Sequence, residues 1–112
     1  MKKINFKLIK NEEIIIEKKE LNSIQINKKT SFVIEGIKYS YSNNVFTKET
    51  KEDLIELDFN KEICKITLKE YNNSINIKLD VINIINNDKI TKVEYKIETE
   101  EDIVNIINIE YV

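Results

Sequence analysis

The chain is predicted to be all-β, an antiparallel meander of short strands, and three observations carry that prediction. Apolar residues recur at every second position in nine separate stretches, the mark of strands with one buried face. Asparagine doublets at 43/44, 72/73 and 86/87 each fall between two such stretches, where two-residue hairpin turns want residues able to take positive φ. Finally, 29 Ile plus Val stand against 6 Leu and no Ala, a mixture whose stiff χ1 angles suit strands better than helices. Such a meander closes as a barrel or packs as a β-sandwich.

The stretches follow in order. Ile4, Phe6 and Leu8 share one face while Asn5 and Lys7 take the other; Ile24 and Ile26 flank Gln25, and Phe32 and Ile34 flank Val33. Next come Tyr39/Tyr41, Ile55/Leu57/Phe59, Cys64/Ile66/Leu68 and the long run Ile75/Ile77/Leu79/Val81. Val93/Tyr95/Ile97 and Ile107/Ile109/Tyr111 complete the series, and all these residues are expected to point inward. Other turns are expected at Asn11, Asn22, Glu35-Gly36, Thr50 to Asp53, Asn60-Lys61 and Thr99 to Asp102. Ile103, Ile106, Ile107 and Tyr111 also fit helical spacing, as do Ile82, Ile85 and Lys89 more loosely. Strand and short helix therefore compete most closely over residues 101–107, and the residue mixture favours strand. Between Val81 and Ile85 the apolar parity changes from odd to even, which predicts a bulge or a bend.

Composition narrows the chemistry. Ile (23), Lys (18) and Asn (15) make up half of the 112 residues, a usage that a low-GC genome would favour, while Ala, Arg, His, Pro and Trp are absent. Without His there is no Ser-His-Asp triad, Cys-His dyad or imidazole metal ligand, and without Arg no bidentate fork for carboxylate or phosphate. A net charge of −2 argues against a general nucleic-acid binder. Residues 1–112 are expected to form a single domain, long enough to bury about two thirds of its unfolded surface without staples. Lys7 and Lys10 interrupt the apolar stretch after Met1-Lys2-Lys3, so no signal peptide is expected. No apolar run of membrane-spanning length occurs, which makes the cytoplasm the expected compartment. The sequon Asn72-Asn73-Ser74 is then simply a turn.

The succession of antiparallel stretches, the long strand Ile75 to Val81 and the ending Lys92-Val93-Glu94-Tyr95 then Ile107-Asn108-Ile109-Glu110-Tyr111 resemble the YwiB-like family, small bacterial calycin-type proteins. The likeness is carried chiefly by residues 74–112. It implies a lipocalin-like, antiparallel up-and-down β-barrel of about 8–10 strands, and it supplies no catalytic residues.

Each group with chemical potential has a plainer reading beside it. Cys64 has core-facing parity and no His to activate it, so it reads as a small buried hydrophobe. The run Glu98, Glu100, Glu101, Asp102 lacks the spaced ligands and Gly turn of a calcium loop and reads as a solvated turn. Glu56 and Asp58 should lie side by side on an outer face, where paired carboxylates merely repel. Lys38-Tyr39-Ser40-Tyr41 with Phe46 and Lys48 is the nearest approach to an aromatic, basic surface for single-stranded nucleic acid, with the acidic net charge against it. Tyr39, Tyr41, Tyr95 and Tyr111 share parity with apolar neighbours, so their inward rings need hydroxyl partners. They either bond to backbone at the barrel ends or line a pocket mouth and orient a ligand.

The expected function is that of a non-catalytic barrel with no metal and no cofactor, taking a small apolar or amphipathic ligand near one mouth, with Tyr39, Tyr41, Tyr95 and Tyr111 as ligand-binding residues. Calycin relatives that carry lipids tend to hold a carboxylate with Arg; here Lys or Tyr would serve. The alternative is a protein-interaction module or homodimer, using a strand edge or an outer apolar patch drawn from Ile9, Val33, Ile82, Ile84, Val104 and Ile106. No membrane partner is expected.

Overall fold

The computed structural model describes residues 2–112; Met1, weighed above as part of a signal-peptide start, lies outside them. Ten strands form: β1 (Lys2–Lys10), β2 (Glu13–Ile26), β3 (Lys29–Ile34), β4 (Ile37–Ser42), β5 (Val45–Glu49), β6 (Asp53–Asp58), β7 (Ile63–Leu68), β8 (Asn73–Asn86), β9 (Ile90–Ile97) and β10 (Glu100–Tyr111). The described residues contain no helix. Strand order closes on itself as β1-β10-β9-β8-β7-β6-β5-β4-β3-β2, an antiparallel up-and-down β-barrel, so the barrel and not the sandwich is what forms. The strand that alternation does not reveal is β5, where Phe46 is the only large buried side chain.

Turn chemistry explains how one glycine suffices for so many hairpins. Asn11/Glu12, Asn27/Lys28, Glu35/Gly36 and Asn43/Asn44 each place two consecutive residues at positive φ, the signature of type I′ hairpins whose twist matches the flanking strands. Elsewhere side chains bind the turn. The Asp58 carboxylate accepts from the backbone N–H groups of Asn60 (3.0 Å) and Lys61 (3.1 Å), and Asn87 Oδ1 accepts from those of Lys89 (2.8 Å) and Ile90 (3.0 Å). The Thr50 hydroxyl accepts from the N–H groups of Glu52 and Asp53 and donates to Asp53 Oδ1 at 2.7 Å.

Two compact units can be distinguished, Met1–Asn22 with Asp80–Val112, and Ser23–Leu79. In the first, Ile4 and Phe6 on β1, Thr91, Val93 and Tyr95 on β9, and Ile107 and Ile109 on β10 are buried. Ile4 faces Tyr111, Phe6 faces Ile109 and Leu8 faces Ile107, so the apolar residues of β1 and β10 meet as cross-strand pairs. In the second unit the buried face is aromatic, with Phe32, Tyr39, Tyr41, Phe46 and Phe59 joined by Ile34, Leu57, Cys64 and Leu79. Its strands pair in continuous register from β3 to the start of β8.

Several expectations are corrected. Asn22 is not a turn: β2 runs on to Ile26, and the hairpin lies at Asn27/Lys28. Ile24 and Ile26 do not point inward but are 54% and 63% exposed, while Ser23 is buried and Gln25 half-buried. The cause lies at Glu20, which takes φ 53 in mid-strand: the better-covered residues are Ile16 before it and Leu21, Ser23 and Gln25 after it. One left-handed residue acts as an inserted residue and reverses the parity. The turn expected at Thr99 to Asp102 is shorter, since β10 begins at Glu100. Leu68 and Ile75, expected inside, are 43% and 59% exposed. Of the expected outer apolar residues, Val33 and Ile82 are exposed, whereas Ile9, Ile84, Val104 and Ile106 are half-buried.

Strand over 101–107 is what forms, with an irregularity. Between the pairs Glu100–Ile97 and Asn105–Tyr95, β10 advances five residues while β9 advances two. The displaced backbone is held by Asn11, whose Oδ1 accepts from Val104 N–H at 2.9 Å and whose own N–H donates to the Val104 carbonyl at 2.9 Å. In β8 the better-covered side chains pass from Ile77, Leu79 and Val81 to Ile84, the parity change anticipated between Val81 and Ile85.

Candidate functional site

The four tyrosines do not form one constellation within either unit. Tyr39 and Tyr41 lie on β4 in the second unit, both 3% exposed. The Tyr39 ring stacks on Phe32 (centroids 5.4 Å apart, planes 13° apart) and meets Phe46 at 5.9 Å, and the Tyr41 hydroxyl donates to Asn44 Oδ1 at 3.0 Å, closing its own hairpin. Burial, with the Glu35 carboxylate second, pushes the Tyr39 hydroxyl above its ordinary pKa. Tyr95 and Tyr111 belong to the first unit. Thr91, fully buried, donates its hydroxyl to Asn86 Oδ1 at 2.9 Å and accepts from the Tyr111 hydroxyl at 2.7 Å. Tyr95 is buried opposite Asn105.

With Tyr39, Tyr41 and Phe46 buried, the rings of the Lys38 to Lys48 segment are not a surface platform for bases. Cys64 is buried between Leu57 and Ile77, and desolvation raises its pKa, the opposite of what activates a thiol. Glu56 is flanked in register by Thr47 and Lys65, and Asp58 is engaged by its turn. Among the described residues no three His, Cys, Asp or Glu side chains gather as a metal site would require. No helix is long and apolar enough to cross a membrane.

One arrangement in the second unit combines charge with apolar surface. Phe46 faces the buried side of the sheet, so Lys48, two residues on, shares that face. Register aligns Tyr39, Lys48, Ile55, Ile66 and Ile75 in one row across β4 to β8. Coverage falls along it, from Tyr39 at 3% exposed, through half-buried Lys48, Ile55 and Ile66, to Ile75 at 59%, with Leu68 beside it. Lys48 makes no ion pair among the described residues, in contrast to Lys69 close in sequence to Leu68, which donates to Glu49 Oε2 at 2.7 Å and to the Thr50 carbonyl at 2.8 Å. That bond, more than the charge of Lys69, lowers the Glu49 pKa. The position of Lys48 was open to detection in the sequence, because it has the parity of Phe46, but the pattern Lys38 to Lys48 read as an outward surface.

The first unit carries a polar cleft of about 400 Å³ on the outer side of β1 and β10. Asn5, Lys7, Asn108 and Glu110 line it as cross-strand partners, with Glu17, Lys18 and Lys19 from β2. Lys7 pairs with Glu17 at 3.3 Å, and Asn5 Oδ1 accepts from Glu20 N–H at 2.9 Å. The side-chain oxygen Oδ1 of Asn108 is buried there with no hydrogen-bond partner among the described residues.

No known protein family, curated protein or solved structure matches the chain.

Proposed function

We propose that this YwiB-like barrel is a non-catalytic binding module for a small anionic amphiphile, taken on the inward face of the second unit. The observation that carries the reading is Lys48, a half-buried cation with no carboxylate partner among the described residues, heading a row of Ile55, Ile66 and Ile75. An ammonium lacking an acidic partner beside an aliphatic strip suits a molecule with one anionic end and one apolar end. With strands about 4.8 Å apart, the strip runs roughly 14 Å from Lys48 to Ile75, the reach of a medium-length alkyl chain. In this reading Tyr39 forms the floor beside the anionic end, while Tyr41, Tyr95 and Tyr111 contribute by holding their strands in register.

Titration with the anionic apolar dye 1-anilinonaphthalene-8-sulfonate, followed by its fluorescence, tests the reading. Lys48→Glu is expected to weaken binding at least tenfold, while Lys65→Glu on the opposite face leaves it unchanged. Equal binding by Lys48→Glu and the unaltered protein, or no binding by either, would contradict the proposal.

A further inference from the structure

The parity change at Glu20 has a consequence on the other side of the same sheet. It turns Ile24 and Ile26 outward on β2, and Val33 faces outward on β3; their exposures are 54%, 63% and 54%. Ile24 is directly opposite Ser31, so Val33, two residues along, is its diagonal neighbour on that face, and Ile26 lies two residues from Ile24 on the same strand. Together they form an apolar strip on the outer face, and exposed apolar patches of this kind mark interaction surfaces.

The rim of this strip is basic. Lys29 stands opposite Ile26 and Lys38 opposite Val33, Lys28 occupies the adjoining turn, and all three are exposed. Residues 23–42 contain one carboxylate, Glu35, and it sits in the β3–β4 turn. Glu49, across from Lys38, is held by Lys69 at 2.7 Å and also feels the charge of Lys38, so Lys28 and Lys29 carry most of the unbalanced charge of the rim. A two-fold contact between copies through this strip would bring three lysines against three others, so its charge favours an acidic partner over itself.

We infer that the outer face of the β2–β3 hairpin docks an acidic protein segment, seating apolar side chains on Ile24, Ile26 and Val33 and carboxylates on Lys28, Lys29 and Lys38. This surface is separate from the Lys48 row, being on the opposite face of the sheet, and does not depend on it.

The test uses a synthetic peptide alternating Leu and Glu, its counterpart alternating Leu and Lys, and vesicles of phosphatidylglycerol, each titrated against the full chain. The Leu-Glu peptide is expected to bind and the Leu-Lys peptide not to bind. Ile24→Glu with Ile26→Glu should weaken binding at least tenfold, and Lys28→Glu with Lys29→Glu should weaken it and flatten its dependence on salt. Val33→Thr, a milder change at an exposed strand position, should weaken binding with an unaltered far-ultraviolet circular dichroism spectrum, which keeps the test valid if a double variant misfolds. Equal binding of both peptides, indifference to Val33→Thr, or retention by the vesicles but not the Leu-Glu peptide would each overturn the inference.

Discussion

The two units solve the same problem with different side chains. The Ser23–Leu79 unit fills its buried face with rings, and its registers run without interruption from β3 to β8. The other unit relies on Ile4, Val93, Ile107 and Ile109 around Phe6 and Tyr95, tolerates a register shift in β10, and leaves two side-chain atoms, Asn105 Nδ2 and Asn108 Oδ1, buried without partners among the described residues. The difference teaches where alternation is a sufficient instruction. Tight turns and large rings fix register strongly, because a slip by one residue would expose every ring. A sheet of branched aliphatics with a long irregular strand depends instead on individual hydrogen bonds, such as those of Asn11 and Thr91.

The sharpest way to break the comparison is to empty each core. Phe46→Ala in the aromatic unit and Phe6→Ala in the aliphatic one should each destabilise by about 3–5 kcal/mol, whereas Ile109→Val should cost only about 0.5–1.5 kcal/mol, all read by urea denaturation. If Ile109→Val proved as damaging as Phe46→Ala, the aliphatic core would be as finely fitted as the aromatic one.

Hydrogen bonds should show the reverse ranking. Thr91→Val removes a buried hydroxyl that serves both Asn86 and Tyr111, so a loss of about 1–3 kcal/mol is expected. Tyr41→Phe removes one bond to a half-buried turn asparagine and should cost about 0.5–1.5 kcal/mol. Equal losses would remove the distinction between the units.

Smaller gains are expected at the turns. Glu12 and Lys28 hold φ 66 and 64 with a Cβ that this region disfavours. Glu12→Gly in one unit and Lys28→Gly in the other should each raise stability by about 0.5–1 kcal/mol, since Gly relieves the strain but adds freedom to the unfolded chain. A thermal melt showing a loss at either site would mean that the native side chain makes a contact worth more than the strain.

The smallest effect is in pH dependence. The Tyr39 hydroxyl is raised by burial and then by Glu35, so the folded state favours its neutral form. Its contribution is fully present below the unfolded value near 10 and is lost as pH rises through the higher folded value. Tyr39→Phe should flatten the alkaline limb of a stability profile, and an unchanged limb would show that other groups govern it.

Legibility followed the same physical division. In β3, β4, β6 and β7 the period-two pattern, the Asn43/Asn44 turn and Gly36 agree, and the strands lie close to where alternation puts them. β2 defeated the pattern because Glu20, an unremarkable residue in sequence, takes a left-handed φ and reverses the faces beyond it. β5 was hidden because its inward positions are Phe46 and Lys48, one apolar and one charged, while Val45 takes the other face, so no apolar alternation appears in its short strand. The hydroxyls of Tyr41 and Tyr111 find their partners in the side chains of Asn44 and Thr91 and not in backbone, and no alternation reveals the proximity of those two residues. Lys48 was visible and misassigned, since a lysine on a buried face runs against the ordinary division of polar and apolar sides.

The central claim, that a lysine with no ion pair among the described residues heads an aliphatic binding strip, is tested most directly by nuclear magnetic resonance with dodecanoate added to the protein. Shifts should concentrate at Lys48 and the methyl groups of Ile55, Ile66 and Ile75, and disappear in Lys48→Glu. Shifts confined to Lys18 and Lys19 in the outer cleft, or none at saturating dodecanoate, would contradict it.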